Sequence, residues 1–340
     1  MVVYDFTIHM KAAINVTNLV KRYGDFAAVD DISFTVEQGG FFGFLGSNGA
    51  GKSTTMRILS TLLAKTSGDV VVQGHDVAKE PEAVRRSIGF AMQNISLDNA
   101  ASGYENLQLL GVLYGLSPVQ SKAKADELLE LVGLTKVAGS WVSAYSGGMR
   151  RRLDLAGVLM HSPDVLFLDE PTESLDPQAR RAIWEQLQRL NKAGTTMFLT
   201  THYMEEADAL CRDLAFIDKG KIIKRGTPQE LKMEMGGDAV HLEFADKTDM
   251  AKAVLVAEQA VSVTDVVKEP SAIGFSLPEA GQKMPALIRA FADAKMSPVS
   301  LSVTPPTLED LFVKLIGRKV SEEDASGLVK GVDPFIQNAQ

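Results

Sequence analysis

Apolar and polar residues alternate over residues 14–20 and 33–37, as they do in strands that bury one face. Phe41–Leu45 is apolar throughout, which is typical of a strand buried on both faces. Further strand-like runs at 165–168, 196–200 and 214–217 alternate with helical patterns at 178–192 and 203–212. Strands that alternate with helices predict an α/β fold with a mostly parallel sheet covered on both faces.

A long helical pattern over residues 101–162 interrupts this alternation. We interpret it as a helical subdomain inserted into an α/β domain of residues 13–235, and we expect a hinge at 235–238. Beyond the hinge, strands are predicted at 239–245, 261–268, 271–277 and 297–304, and helices at 247–258, 283–294 and 306–317. That order predicts a small α+β accessory domain over 239–318, of ferredoxin-like type.

Charge and composition limit the possible functions. The 340 residues carry a net charge of -8, which argues against nucleic acid as the main partner, and the basic run at 150–152 is interpreted as the opening of a helix. Cys211 is the single cysteine, so no intrachain disulfide is expected, and we interpret it as a small packed residue. No apolar stretch approaches the roughly 20 residues of a membrane-spanning helix. Residues 1–12 are expected to form an extension and residues 319–340 a polar tail.

A glycine-rich phosphate-binding motif follows the strand Phe41–Leu45. The pattern G-x-x-x-x-G-K-[ST] is complete, with a helix expected to begin near Thr54; its members are Gly46, Ser47, Asn48, Gly49, Ala50, Gly51, Lys52 and Ser53. Glycines let successive backbone N–H groups surround phosphate oxygens, and the helix N-terminus favours negative charge. Lys52 supplies positive charge for the terminal phosphates, and the Ser53 hydroxyl is placed to ligate Mg²⁺. With these flanks, an accidental glycine-rich turn is a poor alternative.

Two acidic residues end a second buried strand. Asp169 and Glu170 follow the apolar run 165–168, so they lie at the carboxyl end of a strand, where parallel sheets bind ligands. Asp169 is a candidate metal ligand, and Glu170 is a candidate base for the attacking water. A strand followed by a charged turn would be an even alternative if the phosphate-binding motif were absent.

The order of further motifs resembles the ATPase subunits of ABC transporters. The loop Ser146, Gly147 and Gly148 precedes a helix expected at 149–160 and shortly precedes Asp169, in the family's order. The resemblance, which covers residues 13–235, implies a P-loop ABC-type ATPase fold. It also implies four roles: Tyr23 stacks on adenine, Gln93 contacts Mg²⁺, Asp176 lies in the loop at the dimer seam, and His202 senses the γ-phosphate. Singly, each would more often be a packing or surface residue.

A finer resemblance is to daunorubicin-resistance-type exporter ATPases. It is carried by the stretches 145–176, 112–116 and 306–312, and by an extension after residue 238. The sequence departs from the common family pattern at four positions, which are Gly40, Ser47, Tyr145 and Ser174. A serine at 174 adds a β-carbon where glycine is frequent, but none of the four departures removes a phosphate, metal or water-handling group.

The resemblance implies a magnesium-dependent ATPase that drives a transporter exporting drugs or other hydrophobic compounds. Two copies are expected to close on two ATP molecules, each phosphate loop facing the Ser146–Gly148 loop of the other copy. A separately encoded membrane permease is the expected partner, with the ATPase peripheral to the cytoplasmic face of the membrane. The alternatives are a mechanical ABC ATPase of DNA repair or translation, an exporter of polysaccharide or lipid, and a module that binds ATP without hydrolysing it.

Overall fold

A computed structural model describes residues 11–245 and 249–316. The chain divides into two compact units, Met1–Pro228 and Gln229–Gln340, which we call the ATPase unit and the C-terminal unit. The predicted tail over 319–340 lies outside the described residues, and so do all but the last two residues of the predicted extension over 1–12. The domain limits inferred from the sequence stay a prediction.

The ATPase unit alternates strands and helices as the sequence predicts. Its strands are β1 Ala12–Tyr23, β2 Phe26–Glu37, β3 Phe41–Leu45, β4 Ser67–Val72, β5 His75–Asp76, β6 Ile88–Ala91, β7 Val165–Asp169, β8 Thr196–Thr201, β9 Asp213–Asp218 and β10 Lys221–Gly226. Its helices are α1 Lys52–Leu59, α2 Pro81–Ser87, α3 Gly103–Leu113, α4 Pro118–Leu131, α5 Gly147–Val158, α6 Pro177–Lys192 and α7 Met204–Leu210. A short helix, α8 Pro228–Met233, begins at the last residue of the unit.

The main sheet of the ATPase unit has six strands in the order β10-β9-β3-β8-β7-β6. All neighbours pair in parallel except β10 with β9, so the predicted mixed α/β sheet is confirmed. The carboxyl ends of β3, β7 and β8 therefore meet at one edge of the sheet, where parallel sheets bind ligands. A second, antiparallel sheet has the order β2-β1-β4-β5.

An aromatic core joins the two sheets. Phe34 of β2 stacks on Phe42 of β3, with ring centroids 5.4 Å apart, and both rings are buried. Phe198 of β8 lies 5.6 Å from Phe42 and fills the same layer. Helix α1 contacts strands of both sheets, and the buried residues of its inner face, such as Met56, belong to this core. The phosphate-binding loop is consequently attached to a rigid base.

The insertion over residues 101–162 contains three helices, α3, α4 and α5. Its first two helices begin with reciprocal capping boxes, Ser102 with Glu105 and Ser117 with Gln120, which satisfy the free N–H groups at each start. Tyr145, at the position where the family commonly has leucine, is buried and donates its hydroxyl to the carbonyl of Val137 at 2.7 Å.

The C-terminal unit has one four-stranded antiparallel sheet and helices packed on it. Its elements are β11 Asp238–Phe244, α9 Met250–Ala260, β12 Thr264–Lys268, β13 Ala272–Leu277, α10 Ala280–Asp293, β14 Pro298–Thr304 and a helix, α11, over residues 308–316. The strand order β12-β13-β11-β14 and the element order β-α-β-β-α-β define a ferredoxin-like arrangement. In the part of the chain that the structure describes, no helix combines the length and apolar character needed to cross a bilayer.

Candidate functional site

The phosphate-binding loop leaves β3 and turns directly into α1. Lys52 is 4% exposed, and its Nζ donates to the carbonyl oxygens of Gly46 at 2.8 Å and of Ser47 at 3.1 Å. A β-carbon at Gly46 would lie 2.3 Å from the Ile217 carbonyl oxygen, and Gly51 has a φ of 110°. Both positions therefore require glycine, one for close approach and the other for its left-handed backbone.

Asp169 lies at the end of β7, as predicted. Its Oδ1 accepts a hydrogen bond from the Ser53 hydroxyl at 3.2 Å and a second from the Thr200 hydroxyl at 2.5 Å. Thr200 is directly opposite Asp169 in the β7–β8 pairing, which explains the second contact. The strand ends thus hold a carboxylate against the first turn of α1.

Glu170 lies between a lysine and a histidine. Its Oε1 is 3.7 Å from Lys52 Nζ, and its Oε2 is 3.0 Å from Nδ1 of His202. Burial lowers the pKa of the Lys52 ammonium, and the Glu170 and Asp169 carboxylates act in the opposite direction. Glu170 also has a φ of 48°, a left-handed backbone that non-glycine residues rarely adopt. The sheet edge therefore holds this carboxylate in a strained, fixed position.

A cleft of about 510 Å³ opens above this cluster. Its lining comprises Tyr23, Phe26, Ala28, Asn48, Gly49, Gly51, Lys52, Ser53, Thr54, Gln93, Glu170 and Glu173. Tyr23 and Phe26 are paired across the β1–β2 turn and are 52% and 65% exposed. An apolar end next to a phosphate-binding loop suits a nucleotide, whose base is flat and whose phosphates are charged.

Gln93 lines the cleft, and its side chain hydrogen-bonds to another residue of the lining. Its side-chain amide donates to the Glu173 carboxylate, so the structure links the loop after β6 to the loop after β7. Glu173 and Phe26 were not predicted from the sequence as residues of the site. Phe26 follows a Gly-Asp turn, and its position opposite Tyr23 in a hairpin was the pattern from which it could have been predicted.

Ser146, Gly147, Gly148 and Asp176 do not line this cleft. Ser146 caps α5, and its hydroxyl accepts from the N–H of Met149, while Asp176 caps α6 and accepts from the N–H of Ala179. A β-carbon at Gly148 would lie 2.9 Å from that of Ala179, so the two loops are packed together. One chain therefore brings together the phosphate loop, Asp169, Glu170 and His202. The N-termini of α5 and α6 lie outside the cleft of the same chain.

The backbone at two of the departures from the family pattern, Ser174 and Gly40, restricts which residues fit there. Ser174 has a φ of 60°, a conformation that costs little for glycine but is strained for serine. A β-carbon at Gly40 would lie 2.9 Å from the Glu37 carbonyl oxygen, so a side chain there needs the turn to shift.

Arg151 connects three parts of the site, although the sequence placed it only in a basic run. It is 5% exposed, and it donates to the carbonyls of Pro171 at 2.7 Å and of Met92 at 2.5 Å. It also pairs with Asp154 at 3.1 Å. Since Met92 precedes Gln93 and Pro171 follows Glu170, Arg151 fixes both loops relative to the helix that starts at Ser146.

A buried glutamate, Glu206, lies behind the His202 segment. Its Oε1 accepts hydrogen bonds from the Thr172 hydroxyl at 2.7 Å and the Trp184 indole at 3.0 Å, and burial raises its pKa. Its Oε2 is buried without a hydrogen-bond partner among the described residues. Cys211 is buried as expected, and burial raises the pKa of its thiol well above the ordinary value.

The side-chain oxygens of Ser53 and Asp169 fit a magnesium ion. The Ser53 hydroxyl and the Asp169 carboxylate are hard oxygen ligands held 3.2 Å apart, and Mg²⁺ prefers such oxygens together with phosphate and water. Gln93 adds an amide oxygen at the rim of the same cleft.

Comparison with known proteins identifies the family. A family model named ABC transporter matches residues 29–173, and a model named ATP-binding protein DrrA1-3-like, C-terminal domain, matches residues 226–316. The daunorubicin resistance ATP-binding protein DrrA3 of Streptomyces coeruleorubidus is 41% identical over 314 residues, which are 91% of this chain and 98% of that protein. The chain belongs to the ATP-binding proteins of ABC transporters. It is an ATPase of that family, and the resemblance inferred from its motifs is confirmed.

A second relative and a solved structure support the same family assignment for this ABC protein. The linearmycin resistance ATP-binding protein LnrL of Bacillus subtilis (strain 168) is 38% identical over 308 residues, 90% of this chain and 98% of that protein. Among solved structures, cbiO1 from Clostridium perfringens, part of the ABC transporter complex cbiONQ, superposes with a TM-score of 0.62 at 28% identity. That match covers 66% of this chain and 92% of the other.

Proposed function

We propose that this ABC protein is the magnesium-dependent motor of a drug exporter, working as a homodimer beneath a separate membrane permease. The observation that carries the proposal is the cluster of Lys52, Glu170 and His202 beside Asp169, at the edge where β3, β7 and β8 end. The mechanical-ATPase alternative has no such specific support, and the ATP-binding-only alternative lacks a reason to keep this cluster.

Each residue of the cluster has a distinct task. Lys52 is already desolvated and faces the loop carbonyls, so its charge is available to the terminal phosphates of ATP as they displace those contacts. Glu170 is positioned to accept the proton of the attacking water. His202 donates from Nδ1 to Glu170, which orients the carboxylate, while its other ring nitrogen is left for the γ-phosphate.

Magnesium would be held by Ser53, Asp169 and Gln93. A bound ion would neutralise negative charge on the phosphates of ATP. Thr200 donates to Asp169 and so keeps the carboxylate oriented towards the α1 terminus.

A second copy would complete the site. The amides at the start of α5, beside Ser146, Gly147 and Gly148, do not line the cleft of their own chain. Two chains related by a two-fold axis can place each α5 terminus over the partner's γ-phosphate, with Asp176 at the seam. Closure would then depend on a phosphate that ADP lacks, and hydrolysis would release it.

The names of the relatives support drugs as the exported cargo. Two of them carry names of daunorubicin and linearmycin resistance and match nearly their full length. We propose a separate permease as the partner because these relatives are named as ATP-binding proteins of drug resistance. The ATPase would bind that permease at the cytoplasmic face of the membrane.

Substituting Glu170→Gln tests the proposal. The amide keeps the size and the contact with His202 but cannot take a proton, so turnover should fall at least about 100-fold while ATP binding persists. Steady-state phosphate release, equilibrium binding of ATP and sedimentation with ATP and Mg²⁺ are the measurements. Unchanged hydrolysis would remove Glu170 from its role.

A matched control is Glu173→Gln, the same change three residues away in the same cleft. We expect it to weaken the contact with Gln93 and to leave most of the turnover. The cargo is tested in inverted vesicles that contain the permease, where ATP should drive daunorubicin uptake with the native ATPase and not with Glu170→Gln. Uptake that is equal in the two preparations would contradict the exporter proposal.

A further inference from the structure

The two edges of the C-terminal sheet differ in a way that points to a partner. The strand order places β12 at one edge and β14 at the other. Exposed strand edges offer unpaired N–H and C=O groups, and proteins protect them with charges, bulges or covering elements.

The β12 edge carries all three protections. Its sequence includes Asp265 and Lys268, and its pairing with β13 shifts register between Thr264 and Val267. Asp265 has a φ of 51° at this irregularity, and Lys314 of α11 lies 3.7 Å from its carboxylate. This edge is therefore closed to another strand.

The β14 edge is less protected, and its one irregularity lies at its start, where the pairing with β11 shifts register between Pro298 and Ser300. The strand Pro298–Thr304 contains no charged residue, and its pairing with β11 is regular from Ser300 to Thr304. Its apolar residues Val299, Leu301 and Val303 are 67%, 40% and 38% exposed. Among the described residues, no strand lies on its outer side.

These apolar residues lie at the border of the core of the C-terminal unit. Leu301 is paired with Leu242 and Val303 with Val240, and directly paired residues share one face of the sheet. Leu242 and Val240 are buried in the cluster that α9 and α10 cover. A further strand beside β14 would extend that apolar face and bury Leu301 and Val303.

The sequence of β14 fits a second copy of itself. Residues 299–303 are Val-Ser-Leu-Ser-Val, which is the same in both directions. In an antiparallel pair centred on Leu301, Leu301 would face Leu301, Val299 would face Val303, and Ser300 would face Ser302. A two-fold axis at Leu301 pairs residues at equal distances from it, so here each side chain would meet one of its own type. Prolines at 298, 305 and 306 limit the pairing to this short window.

We propose that β14 pairs antiparallel with β14 of a second copy about a two-fold axis at Leu301, joining two C-terminal sheets into one of eight strands. The contact needs neither nucleotide nor Glu170, so it holds two ATPases together between cycles of hydrolysis. This proposal rests on the homodimer of the proposed function. Cross-linking tests the β14 contact without nucleotide and phosphate release tests the ATPase, so the two proposals can fail independently.

Cysteine cross-linking of the full-length protein without nucleotide tests the register. Opposed residues of an antiparallel pair have Cα atoms about 4.5–5.5 Å apart, within reach of a disulfide. Leu301→Cys should therefore form a covalent dimer under mild oxidation. Val299→Cys alone should not, because its own copy lies about 13 Å away along the strand. The pair Val299→Cys with Val303→Cys should cross-link again.

Three features of the chain make this test sharp. The native Cys211 is buried and is the single cysteine, so the background is low. Val299 is more exposed than Leu301, so random collisions would favour the variant that we expect to be slow. Val267→Cys, 57% exposed on the β12 edge, is the second control.

The cross-linking rate of Leu301→Cys should exceed those of Val299→Cys and Val267→Cys by at least about tenfold. A non-covalent check is sedimentation of Leu301→Lys, which places two like charges opposite each other and should weaken self-association at least about tenfold, or about 1.4 kcal/mol. Val267→Lys should not. Equal rates for Leu301→Cys and Val299→Cys, or a Leu301→Cys adduct with the permease instead of a second copy, would overturn the proposal.

Discussion

The two units bury different kinds of side chain. In the ATPase unit, buried residues include the charged groups Lys52, Arg151, Asp169 and Glu206. Among residues 229–245 and 249–316, every buried side chain is apolar. One unit thus keeps charges in a place where they destabilise the fold unless they are paired, and the other unit does not.

This difference indicates that the ATPase unit carries the catalytic residues and that the C-terminal unit has a structural role. Buried charges with fixed partners are retained where a reaction needs them, and here they lie around the ends of β7 and β8. An apolar core such as that around Phe291 gives stability without catalysis, and what remains for the C-terminal unit is to offer a surface. The comparison predicts that equal losses of stability in the two units should have unequal effects on hydrolysis.

The largest expected effect is that of Arg151→Met. It leaves Asp154, whose side chain is only 12% exposed, without its cation, and losing one partner of a buried ion pair typically costs about 3–5 kcal/mol of unfolding free energy. It also frees the carbonyls of Met92 and Pro171, so hydrolysis should fall together with stability. Urea titration followed by tryptophan emission is the measurement, since Trp141 and Trp184 both lie in the ATPase unit. The double variant Arg151→Met with Asp154→Leu should recover stability but not hydrolysis.

The control for this prediction is Phe291→Ala in the C-terminal unit. Phe291 is 1% exposed and packs on Phe244, so truncation should cost about 3–5 kcal/mol in that unit. Circular dichroism should detect the loss, while the tryptophan transition and the rate of ATP hydrolysis stay nearly unchanged. If hydrolysis fell as far as in Arg151→Met, the separation of the two units would be wrong.

A smaller effect, dependent on pH, is expected for Glu206→Gln. Because burial raises the pKa of Glu206, the folded chain keeps this proton at pH values where the unfolded chain has released it. The native protein therefore loses stability as pH rises above about 4.3, the usual pKa of a glutamate in an unfolded chain. The glutamine variant lacks this loss, so its advantage should grow with pH and level off above the folded pKa.

The exposed neighbour Glu205 provides the matched control for this titration. Glu205→Gln should show the same pH dependence of unfolding as the native protein. A pH dependence of Glu206→Gln that equals the native one would mean that the Glu206 proton does not contribute to stability.

Contiguous motifs could be predicted from the sequence because their geometry is local. The phosphate loop needs glycine at 46 and 51, lysine at 52 and a strand before it, and all of these lie within one short segment. The carboxyl end of β7 was likewise predictable from four apolar residues followed by Asp169. The strands and helices predicted from periodicity are present in both units, but β4, β5, α2, β6 and β10 were not predicted.

Contacts that depend on long-range register could not be predicted. Thr200 reaches Asp169 only because β7 and β8 pair with those two residues opposite each other. Three consecutive arginines gave no sign that Arg151 alone is buried, since that depends on where the carbonyls of Met92 and Pro171 lie. Self-pairing of β14 depends on which strand becomes the edge, and the alternation of its residues does not determine that.

The smallest expected effect concerns ATP affinity and tests the role of exposed aromatic side chains in the ATPase unit. There Tyr23 lines the nucleotide cleft, and Lys21 lies 4.9 Å from its ring centroid on one face, so the other face is left for the adenine. Stacking of a base on an aromatic ring contributes about 1–3 kcal/mol, so Tyr23→Ala should weaken ATP binding by about tenfold or more. Tyr23→Phe should bind within about twofold of the native protein, since the ring and not the hydroxyl makes the contact. Phe26→Ala, measured beside them by titration calorimetry, should weaken binding less than Tyr23→Ala, and the reverse order would assign the adenine to Phe26.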